Sequence, residues 1–188
     1  MNKVHITNYN IYHTRIRKPV SFAILSDIHF SYAVKDKKLN MIINVLNKIK
    51  PNYILIAGDI IDSLNMIDDS KEEKRLISFI EKLTRISRVI GVLGNHDLYR
   101  KNIKIQTNEY LTKLKNIKSV TNFVVLSNNS YDDEYVHING MSFDYNYYHG
   151  DEKLSKEKLH DNLKTLYKDV KKEKINILLT HSPNNLYD

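Results

Sequence analysis

The sequence predicts an α/β fold built on a largely parallel sheet, and three observations carry that expectation. First, Val20 to Ser26, Tyr53 to Ala57 and Val89 to Leu93 are short β-rich apolar runs. The second is continuous, the mark of a strand covered on both faces. Second, the segments between them carry apolar residues at helical spacing, so the order is β-α-β-α-β, which implies right-handed crossovers. Third, each run breaks into polar residues: Asp27-Ile28-His29, Gly58-Asp59 and Gly94-Asn95-His96-Asp97. Carboxyl ends of strands are where such folds place their ligands.

In chain order, Val4 to Thr7 and Tyr9 to Tyr12 alternate at a period of two, which predicts a half-exposed strand or hairpin arm. Arg15 to Pro19 is a basic turn before the first buried strand. A helix is expected over Asp36 to Lys50, with Asp36 as N-cap, Leu39, Ile42, Val45, Leu46 and Ile49 on its face, and Pro51 as its stop. Asp68-Asp69-Ser70 caps a second helix reaching about Arg85, with Leu76, Ile77, Ile80 and Leu83 inward. Thr107 to Lys115 reads as a short helix. Strands joined by turns follow at Phe123 to Leu126, Tyr135 to Asn139 and around Met141 to Phe143. Asn128-Asn129-Ser130 and Asn139-Gly140 are the hairpin signals. A helix from about Ser155 to Lys172 presents Leu159, Leu163, Leu166 and Val170. The final strand, Ile175 to Thr180, runs into His181-Ser182-Pro183.

A chain of 188 residues corresponds to one domain, or one domain and a fragment, and can bury a sizeable core. The absence of cysteine excludes disulfides and thiolate metal sites and fits a cytoplasmic home. Met1 to Asn10 has no apolar core of signal-peptide length, and no stretch approaches the roughly 20 apolar residues of a membrane span. The net charge of +7 invites a nucleic-acid reading. Interleaving of Lys with Glu and Asp, without aromatic-basic alternation, argues against it and leaves a modest attraction for phosphate-bearing substrates.

Four strand ends therefore deliver Asp27 and His29, Asp59, Asn95, His96 and Asp97, and His181. Side chains of Asp27 and His29 leave an extended strand on one side and can grip one metal ion. Asp59 has two oxygens and can bridge two cations, with Asn95 and His181 on the second. An oxygen and nitrogen set of this kind suits Mn²⁺, Zn²⁺ or Fe better than Ca²⁺ or Cu⁺. Within Asn95-His96-Asp97 the types are an amide-oxygen ligand, a proton carrier and a group to orient it.

Ser26-Asp27-Ile28-His29, Gly58-Asp59, Gly94-Asn95-His96-Asp97 and Thr180-His181 resemble, in order, the signature blocks of calcineurin-like metallophosphoesterases. Ile24 to His29 and Gly58 to Asp62 look most like the bacterial branch acting on small phosphoesters or lipid-linked pyrophosphates. The resemblance, from about Val20 to Pro183, implies a two-sheet β-sandwich flanked by helices with a dinuclear centre at the sheet edge. It implies that Asp27 and His29 hold one divalent metal, Asp59 bridges, and Asn95 and His181 hold the other. Mn²⁺ is the expected ion, with Fe or Zn²⁺ as alternatives. His96 would be the acid near the leaving group, oriented by Asp97, with Asp62 outside the ligand set.

The family also carries a later Gly-His-x-His block, which these 188 residues do not contain. The expectation is a single metallophosphoesterase domain over residues 1–188, lacking its last strands and two ligands. Weak metal binding, little turnover and self-association through an open sheet edge near Ile175 to Thr180 would follow. A metal- or phosphate-binding protein of the same fold is the alternative.

Overall fold

The structure, a computed structural model, describes residues 4–14, 16, 18–100, 103–104, 120–149, 155–168 and 170–182. The Thr107 to Lys115 helix expected from the sequence lies outside these residues. The elements are β1 (Phe22–Leu25), α1 (Asp36–Ile49), β2 (Tyr53–Ala57), α2 (Ser70–Ile86), β3 (Arg88–Val92), β4 (Tyr99–Arg100), β5 (Ile103–Lys104) and β6 (Phe123–Leu126). They continue with β7 (Asn129–Asp132), β8 (Val136–Met141), α3 (Tyr145–His149), α4 (Lys156–Tyr167) and β9 (Ile175–Thr180).

The first sheet has the order β1-β2-β3-β6 and is parallel throughout. The second has the order β7-β8-β9, with β7 antiparallel and β9 parallel to β8. Alternation along the strands assigns the faces. Ile54, Ile56, Val89 and Phe123 face a core shared with Leu39, Ile43 and Leu46 of α1 and Leu76, Phe79, Ile80 and Leu83 of α2. Tyr53, Leu55, Ile90, Val92 and Leu126 face the other way, against Val136, Ile138 and Leu179 of the second sheet. On its far side, Met141 packs with Leu166, Leu163 and Leu159 of α4. The result is helix, sheet, sheet, helix: the two-sheet sandwich flanked by helices.

Several expectations are corrected. Residues 4–13 carry no regular structure, and Tyr9 and Tyr12 are 84% and 89% exposed. An alternating pattern forms a strand only where another strand supplies its hydrogen bonds. Lys35, not Asp36, occupies the α1 cap position, and Asp36 sits in the first turn, paired with Arg75. A 3-10 turn, Leu64–Asp68, precedes α2 and buries Leu64 and Met66. Phe123–Leu126, expected only as one of several strands joined by turns, is the fourth parallel strand of the first sheet, beside β3.

Asn139-Gly140 lies inside β8 and turns nothing. Its glycine marks a close approach: a Cβ there would overlap the Leu126 Cβ and come within 3.0 Å of Val92 across the sandwich. The turn between β7 and β8 is instead built by Asp133, whose carboxylate accepts from the N–H groups of Tyr135 and Val136. The last helix stops at Tyr167, leaving Val170 off its face and 40% exposed.

Candidate metal centre

Strands β1, β2 and β3 run parallel, and His181, directly after β9, reaches the carbonyl of Ala57 at the end of β2, so four carboxyl ends meet along one edge of the sandwich. Three site residues there have left-handed backbones: Asp27 (φ 53°), His29 (φ 46°) and Asp59 (φ 50°). Non-glycine residues adopt this region rarely, at a cost of order 1–3 kcal/mol each, and such strain gathers at functional sites. Cross-links hold it in place: Asp27 N–H donates to Gly58 O (3.3 Å), His29 N–H to Asp59 O (3.0 Å) and Phe30 N–H to Ile60 O (3.0 Å). Gly58 has φ 78°, and a Cβ on it would lie 2.6 Å from the His181 ring. Glycine at that position meets both demands.

The side chains converge around Asp59, which is 2% exposed. Its Oδ2 lies 3.6 Å from His29 Nε2 and 3.4 Å from His181 Nε2, one imidazole on each side. Asp27 Oδ1 is 3.7 Å from the same His29 nitrogen. Asn95 Oδ1 is 3.2 Å from His181 Nε2. Asp59 Oδ1 accepts from the N–H of His96 (2.9 Å), tying the end of β2 to the end of β3. Residues up to 154 positions apart, Asp27 and His181, thus share one site, and all five ligand candidates from the sequence lie in it.

These groups suit a cation. His181 Nδ1 lies 2.8 Å from Ala57 O, which can only accept, so Nδ1 carries a proton and Nε2 is the nitrogen turned to the site. It faces Asp59 and Asn95 oxygens, which are acceptors. Such a concentration of acceptors calls for a positive charge among them, and a histidine whose second nitrogen binds a carbonyl is the usual metal-bound arrangement. Two groups of three side chains have ligand atoms within 4.8 Å of one another: Asp27, Asp59 and His181, and His29, Asp62 and His96.

His96 and Asp97 are arranged differently from expectation. His96 Nδ1 lies 2.8 Å from the backbone carbonyl of Asp62, which fixes its ring and tautomer. The ring stands edge-on to His29, centroids 4.4 Å apart. Asp97 is fully buried, and its two oxygens accept from Ile61 N–H (3.0 Å) and Gly94 N–H (2.9 Å). Burial pushes its carboxyl up to about 7, and Asp59 pushes the same way, against those two bonds. The group holding the ring is therefore the Asp62 carbonyl, while Asp97 locks together the loops after β2 and β3.

Sequence reasoning set Asp62 aside, yet its carboxylate lies 3.5 Å from His29 Nδ1 and 3.6 Å from His96 Nδ1. Its spacing after Gly58-Asp59 was the available signal. Tyr148 of α3 gave none: its hydroxyl donates to Leu93 O (2.9 Å) and its ring meets the His181 ring edge-on at 5.7 Å. A cleft of about 580 Å³, lined by Lys18, Tyr135, Lys172 and Ile175 among others, opens at the amino ends of β1 and β9 and contains none of the site residues.

Over 179 residues, 92% of its length, the chain is 28% identical to an uncharacterized metallophosphoesterase of Campylobacter jejuni, covering 41% of that protein. Over 84 residues, 43% of its length, it is 32% identical to a transmembrane protein with metallophosphoesterase domain of Danio rerio, covering 17% of it. The chain thus spans about two fifths or less of the length of these curated relatives. Among the described residues no helix is long and apolar enough to cross a membrane. The family model for calcineurin-like phosphoesterase matches residues 20–188, a stretch that holds every strand-end residue described above. The chain belongs to the calcineurin-like phosphoesterase family.

Proposed function

We propose that the chain is a metal-dependent phosphoesterase that hydrolyses a phosphomonoester, phosphodiester or pyrophosphate, on a small-molecule or lipid-linked substrate, in the cytoplasm. Two divalent cations, Mn²⁺ foremost, would be held by Asp27, His29, Asp59, Asn95 and His181, in a single domain over residues 1–188. The observation that carries this reading is the buried Asp59 carboxylate set between the His29 and His181 nitrogens, at 3.6 and 3.4 Å.

Divalent cations bound there would supply Lewis acidity toward the phosphoryl oxygens and make water a competent nucleophile near neutral pH. The chain's own groups do the rest. Asp59 and Asp27 supply the negative charge that holds the cations, and Asn95 adds a neutral oxygen. His96 has Nδ1 committed to the Asp62 carbonyl, so its Nε2 is the atom that hands a proton to the leaving oxygen. Asp97 keeps the loop bearing Asn95 and His96 in register.

The test compares His96→Ala with Asp59→Asn in an active, Mn²⁺-loaded form of the protein that carries the Gly-His-x-His block, measuring bound metal and hydrolysis of an aryl phosphodiester. His96→Ala is expected to keep its metal and lose about 10²–10⁴-fold in turnover. Asp59→Asn should lose both. Equal metal loss in the two variants would remove His96 from the proton-donor role. Tight metal with no turnover in the parent chain would establish the metal-binding alternative.

A further inference from the structure

Arg75 lies on α2, outside the ligand cluster, and makes more contacts than a helix-surface arginine needs. Its guanidinium donates to Val34 O (2.8 Å) and to the carboxylates of Asp36 and Glu72. It also covers the Phe30 ring, 5.3 Å from the centroid. Phe30 and Val34 to Asp36 are the two ends of the loop that follows His29, so one side chain clamps both ends of that loop.

Phe30 connects this clamp to the site. Its ring is fully buried and stacks on Phe79 at 6.3 Å. Its N–H donates to Ile60 O, and its carbonyl accepts from Asp62 N–H (3.1 Å), forming an isolated parallel bridge with Ile61. Phe30 therefore pins residues 60–62, which carry the carbonyl that orients His96. It also directly follows His29, whose left-handed backbone persists only where its surroundings over-determine it.

We infer that Arg75 is a positioning residue: through Phe30 it holds His29 and the Asp62 carbonyl, and so the His96 ring, in their working places. The inference rests on the proposed metallophosphoesterase reading and adds a residue to it. Lysine cannot replace the arginine, because a single ammonium reaches neither all three oxygen partners nor the ring with a planar face.

Arg75→Ala and Arg75→Lys are compared with the parent chain and with Ile86→Ala, which loosens the far end of the same helix without touching the loop. Two readouts are taken: Mn²⁺ affinity by titration, and imidazole nitrogen–proton NMR signals of the metal-free protein. Arg75→Ala should weaken Mn²⁺ about 10-fold or more, as loss of an outer support of a metal ligand does. It should also shift or abolish the His96 Nδ1–H signal while leaving that of His181, which is bonded to Ala57 O and not held through Phe30. Millimolar guanidinium, entering beside the small Asp36–Arg75–Lys82 cavity, should restore both in Arg75→Ala, and Arg75→Lys should restore neither. Parent-like signals in Arg75→Ala, or an equal change in Ile86→Ala, would overturn the inference. If the parent chain binds no Mn²⁺, the metallophosphoesterase reading fails, and the imidazole spectrum still decides the role of Arg75.

Discussion

Asp97 shows how one buried carboxyl can organise a site without touching a substrate. Its oxygens take one N–H from the loop after β2 and one from the loop after β3. Each donor would otherwise be a buried group with no acceptor. Asparagine keeps the shape but offers a single oxygen, so its amide nitrogen must face one of the two N–H groups. Asp97→Asn is expected to cost about 1–3 kcal/mol, the penalty of one unsatisfied buried donor. Urea unfolding of the two proteins measures it, and an unchanged midpoint would mean that these bonds do not hold the loops. Asp62 makes the complementary point: its backbone carbonyl, as well as its side chain, does site work, and such a role leaves no trace in residue type.

Among the elements, α2 is specified most completely by its own sequence. Asp69 adopts the extended cap conformation and accepts from Lys71 and Glu72 N–H, as its position before the apolar stripe predicts. Asp69→Ala should therefore destabilise the protein by about 1 kcal/mol, whereas Asp69→Ser should cost little. A thermal melt of the three proteins checks it, and an Asp69→Ser melt as low as that of Asp69→Ala would show that charge, not capping, matters there. In α1 the same kind of reading put Asp36 at the cap. Arg75 draws Asp36 instead, and Lys35 takes the cap without a side-chain bond. Local preference loses when a tertiary partner offers two charge-assisted bonds, here from Arg75 Nε and Nη2 to one oxygen of Asp36.

At the scale of the whole molecule, the two sheets are joined by the inter-sheet core and by polar contacts, among them a knot at Asp133. Asp133, in the turn between β7 and β8, accepts from the Tyr53 hydroxyl of the first sheet (2.8 Å) and from Tyr131 of the second (2.9 Å). Burial pushes its carboxyl up, but the N–H groups of Tyr135 and Val136 and the two hydroxyls outweigh it and hold the group below the ordinary carboxylate range. A depressed folded-state value means stability that is present above the unfolded-state value, about 3.9, and is lost as pH falls through the folded-state one. Stability is thus expected to drop below about pH 4, and Asp133→Asn should flatten the part of that drop due to the knot. Chemical denaturation at pH 3 and pH 6 measures it; parallel losses in both proteins would assign the acid sensitivity elsewhere.

The sequence alone determined the elements and the chemistry carried at their ends. Apolar runs and helical spacing are local signals, so β1 to β3, β9, α1 and α2 were legible within a few residues. Asp27, His29, Asp59, Asn95 and His181 stood out because polar residues ending buried strands need a reason to be there. The sequence could not place β6 beside β3, or turn Asn139-Gly140 from a hairpin signal into the point where β8 closes on Leu126, because both depend on packing between distant segments. Nor could it keep residues 4–13 from reading as a strand, since pattern does not reveal whether a partner strand exists. Only the tertiary structure decided that His96 is held by the Asp62 carbonyl while Asp97 binds backbone. Those bonds join residues 34 and 36 positions apart through left-handed turns that no local pattern encodes.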